Sequence, residues 1–247
     1  MKKHVFSLLT LAFLFAMVPY VSTAIAQPDL NAYFGVAIED SQIDGIIGEE
    51  WSDAGNFSVI TINPQGSSNI IVKNDGENLY VALQFTADSG NPWVAIMFAS
   101  AGHMTINVDG AVFGDDRLSA NGYSDVRFGG PGIVSPDPDQ NGKGAILVDS
   151  ENLVTIELKK PLNSGDSTGR DIAWVTGNTY SLTIMWDTNG AGSNGGSVSH
   201  YNGALTSKTL FISTSVIPEL PASLVLAILA ALLFSAVILK RNLNSQL

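Results

Sequence analysis

Short segments in which apolar and polar residues alternate dominate residues 27–217 of this chain. In residues 154–158, Val, Ile and Leu alternate with Thr and Glu, and in residues 182–186 Leu, Ile and Trp recur at every second position. A period of two places successive side chains on opposite faces, as in a half-buried β-strand. Similar β-branched or aromatic runs occupy residues 57–62, 69–73, 79–85, 93–99 and 209–213. The pattern predicts about eight to eleven strands and an all-β fold, an antiparallel β-sandwich of the jelly-roll kind.

Clusters of Gly, Asn, Asp and Pro separate these runs, as at Asn74–Gly76 and Asp88–Pro92. Such residues favour turns because they tolerate or preset unusual backbone angles. The longest cluster, residues 189–197, predicts a glycine-rich loop, and long loops on a sandwich often carry the binding site. Outside the two ends of the chain we find no helical period.

The first 26 residues have the layout of a secretory signal peptide. Lys2 and Lys3 precede an apolar run, residues 5–18, and Ala24-Ile25-Ala26 supplies small residues at the cleavage positions. We predict cleavage after Ala26, since the apolar core is short for the alternative, an uncleaved membrane anchor.

The C-terminal residues 218–247 predict a linker, a membrane-spanning helix and a short cytoplasmic tail. The uncharged apolar run 222–239 would span about 27 Å as a helix, and Lys240-Arg241 follow it. Basic residues at the C-terminal end of the run place that end in the cytoplasm and residues 27–217 outside the cell as one extracellular domain. The alternative, a buried helix of a soluble protein, would not require the Pro-rich segment before the run or the basic residues after it. The preceding Pro218-Glu219-Leu220-Pro221 resembles the sorting tails read by exosortases and archaeosortases, which implies removal of the helix by a processing enzyme.

Charge and cysteine content exclude several classes of function. The 247 residues include 12 Lys and Arg, 23 Asp and Glu, and no Cys, giving a formal net charge of −11. This sign argues against a nucleic-acid partner. The lack of Cys excludes disulfides, thiolate metal sites and covalent haem attachment. No hydrolase, metalloprotease or phosphate-loop motif is present, so we expect a protein that is not an enzyme.

The order of several motifs resembles one superfamily across nearly all of residues 36–214. They are Gly48-Glu49-Glu50-Trp51, Asn74–Val81, Trp93–Phe98 with Met104 shortly after, Val154–Leu162, Tyr180–Asp187, and His200 before the last strand. This series resembles DOMON domains, family 9 carbohydrate-binding modules, and the haem-binding domains of cytochrome c-552 and ethylbenzene dehydrogenase γ-subunits. The resemblance implies a β-sandwich that holds a b-type haem or a sugar.

For haem, the resemblance implies axial ligation by Met104 and His200, with His103 as the alternate ligand. A thioether and an imidazole would give a six-coordinate iron suited to electron transfer. The predicted pocket walls are Trp93, Ile96, Phe98, Phe113, Trp186 and Tyr201. The main reading is therefore a b-type haem-binding domain at the outer face of the cell membrane, serving extracytoplasmic electron transfer with a redox partner protein.

Two other readings stay open. A non-catalytic module that binds a surface polysaccharide or another surface ligand would stack aromatic rings on sugar faces, with Trp51, Trp93, Trp174 and Tyr123 as candidates. An adhesive or structural protein of the cell envelope is the third reading, and the tail that resembles a sorting signal is its main support.

Residues 137–142 resemble the start of a calcium loop. Asp137, Asp139 and Asn141 place oxygens at positions one, three and five, and Gly142 follows for a sharp turn. The twelfth position is Val148, with Asp149 one residue later, so the segment is not an EF-hand. We expect either a looser Ca²⁺ site formed by Asp137, Asp139, Asn141 and Asp149, or an Asn-Gly hairpin turn.

Overall fold

Twelve β-strands form the part of the chain that the structure, a computed structural model, describes. The described residues are 28–55, 57–62, 66–87, 92–100, 108–114, 122–130, 133–166, 171–187 and 205–216. The strands are β1 (Leu30–Phe34), β2 (Ser58–Ile62), β3 (Gly66–Asn74), β4 (Asn78–Thr86), β5 (Trp93–Ser100), β6 (Val108–Phe113), β7 (Tyr123–Gly130), β8 (Ile133–Pro136), β9 (Lys143–Val148), β10 (Leu153–Pro161), β11 (Thr179–Asp187) and β12 (Leu205–Ile212). Two 3₁₀ turns, Asp40–Gln42 and Glu49–Trp51, are the helical elements of these ranges.

The strands follow one another as a curled sheet in the order β8-β7-β6-β5-β11-β12-β1-β3-β4-β10-β9, with β2 beside β3. We call the half from β8 to β12 sheet A and the half from β3 to β9, with β2, sheet B. Strand β1 joins them by pairing with β12 on one side and β3 on the other. The predicted all-β, sandwich-like fold is confirmed.

The expectation of a purely antiparallel arrangement is wrong at β1. Leu30–Ala32 run parallel to Leu210–Ile212, and Tyr33–Phe34 run parallel to Lys73–Asn74. A parallel pair requires a long crossover connection, and alternation along one strand does not reveal its partner or direction.

The main core lies between sheets A and B. Alternate residues of β5 and β10 point into it, among them Ile96, Phe98, Ile156 and Leu158, all fully buried. Because the side-chain period is two, the intervening residues of each strand face outward. This interior consists of apolar side chains contributed by both sheets, which is what holds the two layers together.

The outer faces of the two sheets differ. Residues 35–55 lie across the outer face of sheet B, where Ile38, Ile43 and Trp51 pack on Ile71 and Tyr80. The outer face of sheet A carries a separate buried apolar cluster. Its members are Trp93, Ala95, Met97, Ala99, Val108, Val112, Val126 and Phe128.

The predicted signal peptide and the predicted helix 222–239 lie outside the described residues. Among the residues that are described, no helix has the length and apolar character needed to cross a bilayer. Both terminal segments therefore stay predictions.

Candidate functional site

The residues predicted to ligate haem are not described. Met104, His103, His200 and Tyr201 fall in segments 101–107 and 188–204, outside the described ranges. The long loop predicted at 189–197 falls in the same part of the chain. The axial pairing of Met104 with His200 thus stays a prediction.

The described strands show where these two segments attach to the sandwich. Segment 101–107 follows Ser100, which pairs with Tyr180, whereas segment 188–204 follows Asp187, which pairs with Trp93. Seven residues of β11 separate the two attachment points, which corresponds to about 23 Å. The segments carrying Met104 and His200 therefore leave from opposite ends of β5 and β11.

The predicted haem walls do not form one surface, and that prediction is corrected. Ile96 and Phe98 point into the main core together with Phe113, but Trp93 points to the outer face of sheet A. Trp93 is separated from Ile96 and from Phe98 by an odd number of positions along β5, and successive side chains of a strand point to opposite faces, so Trp93 faces away from the other two. Trp186 is a residue of β11 whose side chain is outside the described part.

The aromatic residues predicted to stack on sugars do not present open rings. Trp51, Trp93 and Trp174 are 1% to 5% exposed, and the Tyr123 hydroxyl is buried. Trp51 donates its indole N–H to Glu157 Oε1 at 2.6 Å, and Trp174 packs on Phe98 with ring centroids 5.0 Å apart. These residues build the core, so the prediction of their role as exposed platforms is corrected.

A cleft of about 590 Å³ opens at the end of the sandwich where β3 and β10 finish and β4 and β11 begin. We call this the cleft end. Its lining residues come from three separate turns: Gly76, Glu77, Asn78, Pro161, Leu162, Asn163, Trp174, Val175 and Thr176. Backbone hydrogen bonds from Leu162 N to Glu77 O and from Trp174 N to Leu162 O, both 2.7 Å, fix the three turns to one another. Backbone hydrogen bonds of the fold therefore fix the shape of this cleft.

Asp75 holds the turn that presents Glu77 and Asn78. Its Oδ1 accepts the backbone N–H of Glu77 at 2.8 Å and of Asn78 at 2.6 Å, and its Oδ2 accepts the Tyr80 hydroxyl at 2.6 Å. Burial raises the pKa of Asp75, but these hydrogen bonds outweigh it and lower the pKa overall. Among the described residues the exposed carboxylate of Glu77 has no hydrogen bond or ion pair, so it is free to bind a ligand.

Phe34 supplies an aromatic surface beside the cleft. It ends β1, is 40% exposed, and its ring packs so closely on Gly76 that a Cβ there would lie 3.2 Å from Phe34 Cε2. Gly76 also adopts a φ of 89°, which favours glycine. Sequence reasoning missed Phe34, Glu77 and Asn163 because no local pattern unites residues from distant turns.

A second polar centre lies between the sheets near the same end. Lys160 Nζ is 2.8 Å from Asp125 Oδ1, 3.0 Å from Asp109 Oδ1 and 3.3 Å from Asp171 Oδ1. Burial would lower the pKa of Lys160, but the field of the carboxylates raises it overall. Burial raises the pKa of Asp109 to about 7, although Lys160 opposes the shift. One ammonium thus faces three carboxylates in a nearly water-free site.

Further carboxylates rim this centre and include part of the predicted Ca²⁺ site. Oxygens of Asp137, Asp166 and Asp171 lie within 4.8 Å of one another. A hydrogen bond with Asp166 raises the pKa of Asp139, and Asn141 donates to Asp171 Oδ2 at 2.9 Å. The structure therefore brings Asp137, Asp139 and Asn141 near Asp166 and Asp171, and the oxygens of such carboxylates are ligands that Ca²⁺ prefers, whereas Asn141 presents its N–H₂ group to Asp171.

Asp149 is not part of this group, and its prediction as a ligand is corrected. It lies at the opposite end of β9, where Oδ1 accepts the backbone N–H of Glu151 and Leu153, both at 2.8 Å. The six residues of the extended strand β9 separate Asp149 from Gly142, so Asp149 is close to the calcium-loop segment in sequence but far from it in the structure.

Comparisons with known proteins found similarity at the level of solved structures. No family model and no curated protein matches the chain. A family 9 carbohydrate-binding module from Caldicellulosiruptor kristjanssonii, solved with cellotriose, is 11% identical with a TM-score of 0.43 and covers 78% of this chain and 99% of its own. A candidate carbohydrate-binding protein from Bacteroides uniformis ATCC 8492 is 9% identical with a TM-score of 0.43, and covers 78% and 94%.

Proposed function

We propose that this domain is a non-catalytic carbohydrate-binding module whose site is the cleft beside Phe34. The observation that carries the proposal is the combination of a half-exposed aromatic ring with an unengaged carboxylate at the rim of a built cleft. Aromatic rings stack on the C–H faces of sugars, while carboxylates and amides bind hydroxyl groups that both donate and accept. The cleft volume of about 590 Å³ lies within the range of small-ligand sites.

The polar groups of the cleft support binding rather than hydrolysis. Glu77 provides a carboxylate, Asn163 and Asn78 provide amides, and Thr176 provides a hydroxyl. Glycoside hydrolysis generally requires two carboxyl groups that flank the scissile bond. Among the described lining residues, Glu77 supplies the one carboxylate, which suits recognition.

Calorimetric titration of the full chain with a panel of soluble oligosaccharides, cellotriose included, tests the proposal. Loss of the ring in Phe34→Ala should weaken binding about fivefold, since a stacked aromatic contributes about 1 kcal/mol. Phe57→Ala is the matched control, because Phe57 is 43% exposed but does not line the cleft. Absence of binding to the whole panel, or equal affinities of the two variants, would contradict the proposal.

Glu77→Gln tests the carboxylate separately. It removes the charge but keeps the shape, and we expect weaker binding without a change in thermal stability. Glu151→Gln is the control, since Glu151 is an exposed glutamate in the turn between β9 and β10.

We also propose that Asp137, Asp139, Asp166 and Asp171 bind Ca²⁺. The carboxylate oxygens of Asp137, Asp166 and Asp171 lie within 4.8 Å of one another, and carboxylates this close repel each other unless a proton or a cation lies between them. Two independent observations support Asp137 and Asp139 as ligands, namely their spacing in the sequence and their position near Asp166 and Asp171 in the structure. A cation that binds the folded chain at 100 times its Kd would stabilise it by about 2.7 kcal/mol.

Thermal unfolding of the full chain in CaCl₂ and in EDTA tests this second proposal. We expect CaCl₂ to raise the Tm of the wild type and to leave the Tm of Asp137→Asn unchanged. Asp149→Asn is the control, because Asp149 lies at the other end of β9. An equal rise in all three proteins, or none in the wild type, would refute it.

A further inference from the structure

We infer that the cleft end of the sandwich faces the cell membrane and rests on its headgroup layer. The inference rests on the predicted membrane helix and concerns the chain that still carries it, before any processing enzyme removes it. It deepens the proposed function because it restricts which carbohydrates the cleft can reach.

Hydrogen bonds fix the end of the described domain to the cleft end. After β12, Ser213 N donates to Ala32 O at 2.9 Å, and Asn74 Nδ2 donates to Ser213 O at 3.0 Å. Phe34 N then donates to Ser215 O at 2.9 Å. The chain is therefore held against Phe34 and the Asn74 turn until Ser215, and it leaves the sandwich from there.

The chain length after Ser215 limits how far this end can stand from the bilayer. Seven residues lead from Ser215 to Ala222, where the apolar run begins. A fully extended chain of that length spans at most about 25 Å. The opposite end of the sandwich lies farther by the length of β10, about 26 Å. The cleft end is thus the end that the tether can hold at the membrane.

The surface of the cleft end suits contact with lipid headgroups. Phe34, Val175 and Val216 are 40%, 55% and 62% exposed. Val175 lines the cleft, Phe34 packs on the lining residue Gly76, and Val216 follows Ser215, whose carbonyl accepts Phe34 N–H. Exposed apolar side chains grouped in this way mark an interaction surface. Asp75 and Glu77 add negative charge, so a zwitterionic or neutral headgroup fits this surface better than an anionic lipid.

This orientation selects the ligand of the proposed carbohydrate site. The cleft opens beside the apolar residues that approach the bilayer, so it can receive a glycan presented within about 25 Å of the membrane. The ligand class is therefore the carbohydrate headgroup of a membrane lipid, whose polar part meets Glu77 and whose apolar part lies near Phe34 and Val175.

Fluorescence energy transfer in vesicles tests the orientation. The chain has no Cys, so Val175→Cys and Glu151→Cys each give one labelling site, at the cleft end and at the far end. Both residues are exposed, and Val216→Cys is a second variant at the cleft end. The full chain carrying a donor dye is incorporated into phosphatidylcholine vesicles that contain an acceptor-labelled headgroup. The separation of about 26 Å predicts at least about a twofold higher transfer efficiency from position 175 than from position 151.

Equal efficiencies, a higher efficiency from position 151, or failure of the chain to float with the vesicles would overturn the inference. These results are distinguishable from failure of carbohydrate binding, which is measured with soluble oligosaccharides. Binding of soluble sugar combined with equal transfer efficiencies would retain the cleft as a carbohydrate site and reject its orientation. The lipid ligand is tested in the same vesicles with a small fraction of dihexosyl diacylglycerol that carries the acceptor, and we expect higher energy transfer from position 216 to this lipid than to labelled phosphatidylcholine, with the excess reduced by Phe34→Ala and Glu77→Gln.

Discussion

Two buried charged centres of this sandwich are stabilised in opposite ways. On the outer face of sheet B, Glu157 accepts hydrogen bonds from Asp44 N at 2.9 Å, Gly45 N at 2.7 Å and Trp51 Nε1 at 2.6 Å. Between the sheets, three carboxylates instead share the single ammonium of Lys160. The first centre is satisfied by neutral donors, whereas the second depends on a charge.

The difference separates a carboxylate that holds a chain segment in place from a group of carboxylates that depends on the charge of Lys160. The donors to Glu157 all belong to residues 44–51, so this carboxylate fixes the segment that covers sheet B. Around Lys160 the charges do not balance, since Asp109, Asp125 and Asp171 face one positive group. Asp137, Asp139 and Asp166 extend the excess toward the rim. Crowding buried carboxylates is costly, and burial therefore raises the pKa of Asp109 and of Asp125 even though Lys160 opposes both shifts, so this centre depends on the Lys160 ammonium.

Lys160→Met gives the largest expected effect on this comparison. The substitution keeps much of the side-chain volume but leaves buried carboxylates without their counter-charge, and we expect a loss of about 3–5 kcal/mol in the free energy of unfolding. Denaturant unfolding at neutral pH measures it. Lys208→Met is the control, since Lys208 lies 3.8 Å from the exposed Asp29 and should contribute at most about 1 kcal/mol. Similar losses in the two variants would remove the distinction between buried and surface pairs.

Glu157→Gln should have an intermediate effect. The amide retains one acceptor oxygen but replaces the other with an N–H₂ group, which faces N–H donors and leaves at least one of them without a partner. We expect a loss of about 2 kcal/mol in the free energy of unfolding. Proteolysis of the full chain should at the same time become faster within residues 35–55, the segment that Glu157 holds. If stability falls but this segment resists proteolysis as in the wild type, the fastening role of Glu157 is wrong.

The sequence predicted the strands better than their arrangement. Runs 79–85 and 93–99 correspond to β4 and β5, both buried almost throughout, because the pattern of short β-branched or aromatic runs bounded by turn residues favours strands. It does not report strand partners, and so the parallel pairing of β1 with two neighbours could not be predicted. The order of strands in a sheet depends on contacts between residues far apart in the chain.

The candidate sites show the same limit. Asp137 and Asp139 were predicted because a calcium loop has a local spacing, but Asp166 and Asp171 join them only through the fold. The spacing also suggested Asp149, which the extended strand β9 carries away. Tryptophans were expected at the sugar site by residue type, yet an apolar ring of that size gains more from burial in the core. Phe34 stays partly exposed because it is the last residue of β1 and lies beside the turn at Gly76.

Asp75→Asn should have the smallest effect on the free energy of unfolding. The pH dependence of this effect can be compared with that of Glu157→Gln, because the pKa values of the two carboxylates shift in opposite directions. Both carboxylates accept three or more hydrogen bonds, but burial raises the pKa of the fully buried Glu157 despite its donors. At the half-buried Asp75, burial has the same sign but hydrogen bonds from Tyr80, Asn78 and Glu77 outweigh it, and the pKa is lowered below 3.8. Water access therefore decides which influence prevails.

A carboxylate with a lowered pKa in the folded state binds its proton more weakly there than in the unfolded chain. Its stabilising contribution is therefore present above the unfolded pKa of about 3.8 and is lost as the pH falls through the lower folded pKa. Asp75→Asn should cost about 1 kcal/mol at pH 7, and the difference from the wild type should shrink toward pH 2. Glu157→Gln should behave in the opposite sense, because the raised pKa of Glu157 makes the ionised carboxylate less stabilising as the pH rises above 4.5. Urea unfolding of both variants between pH 2 and pH 7 measures the two slopes, and slopes of the same sign would show that water access does not separate these two carboxylates.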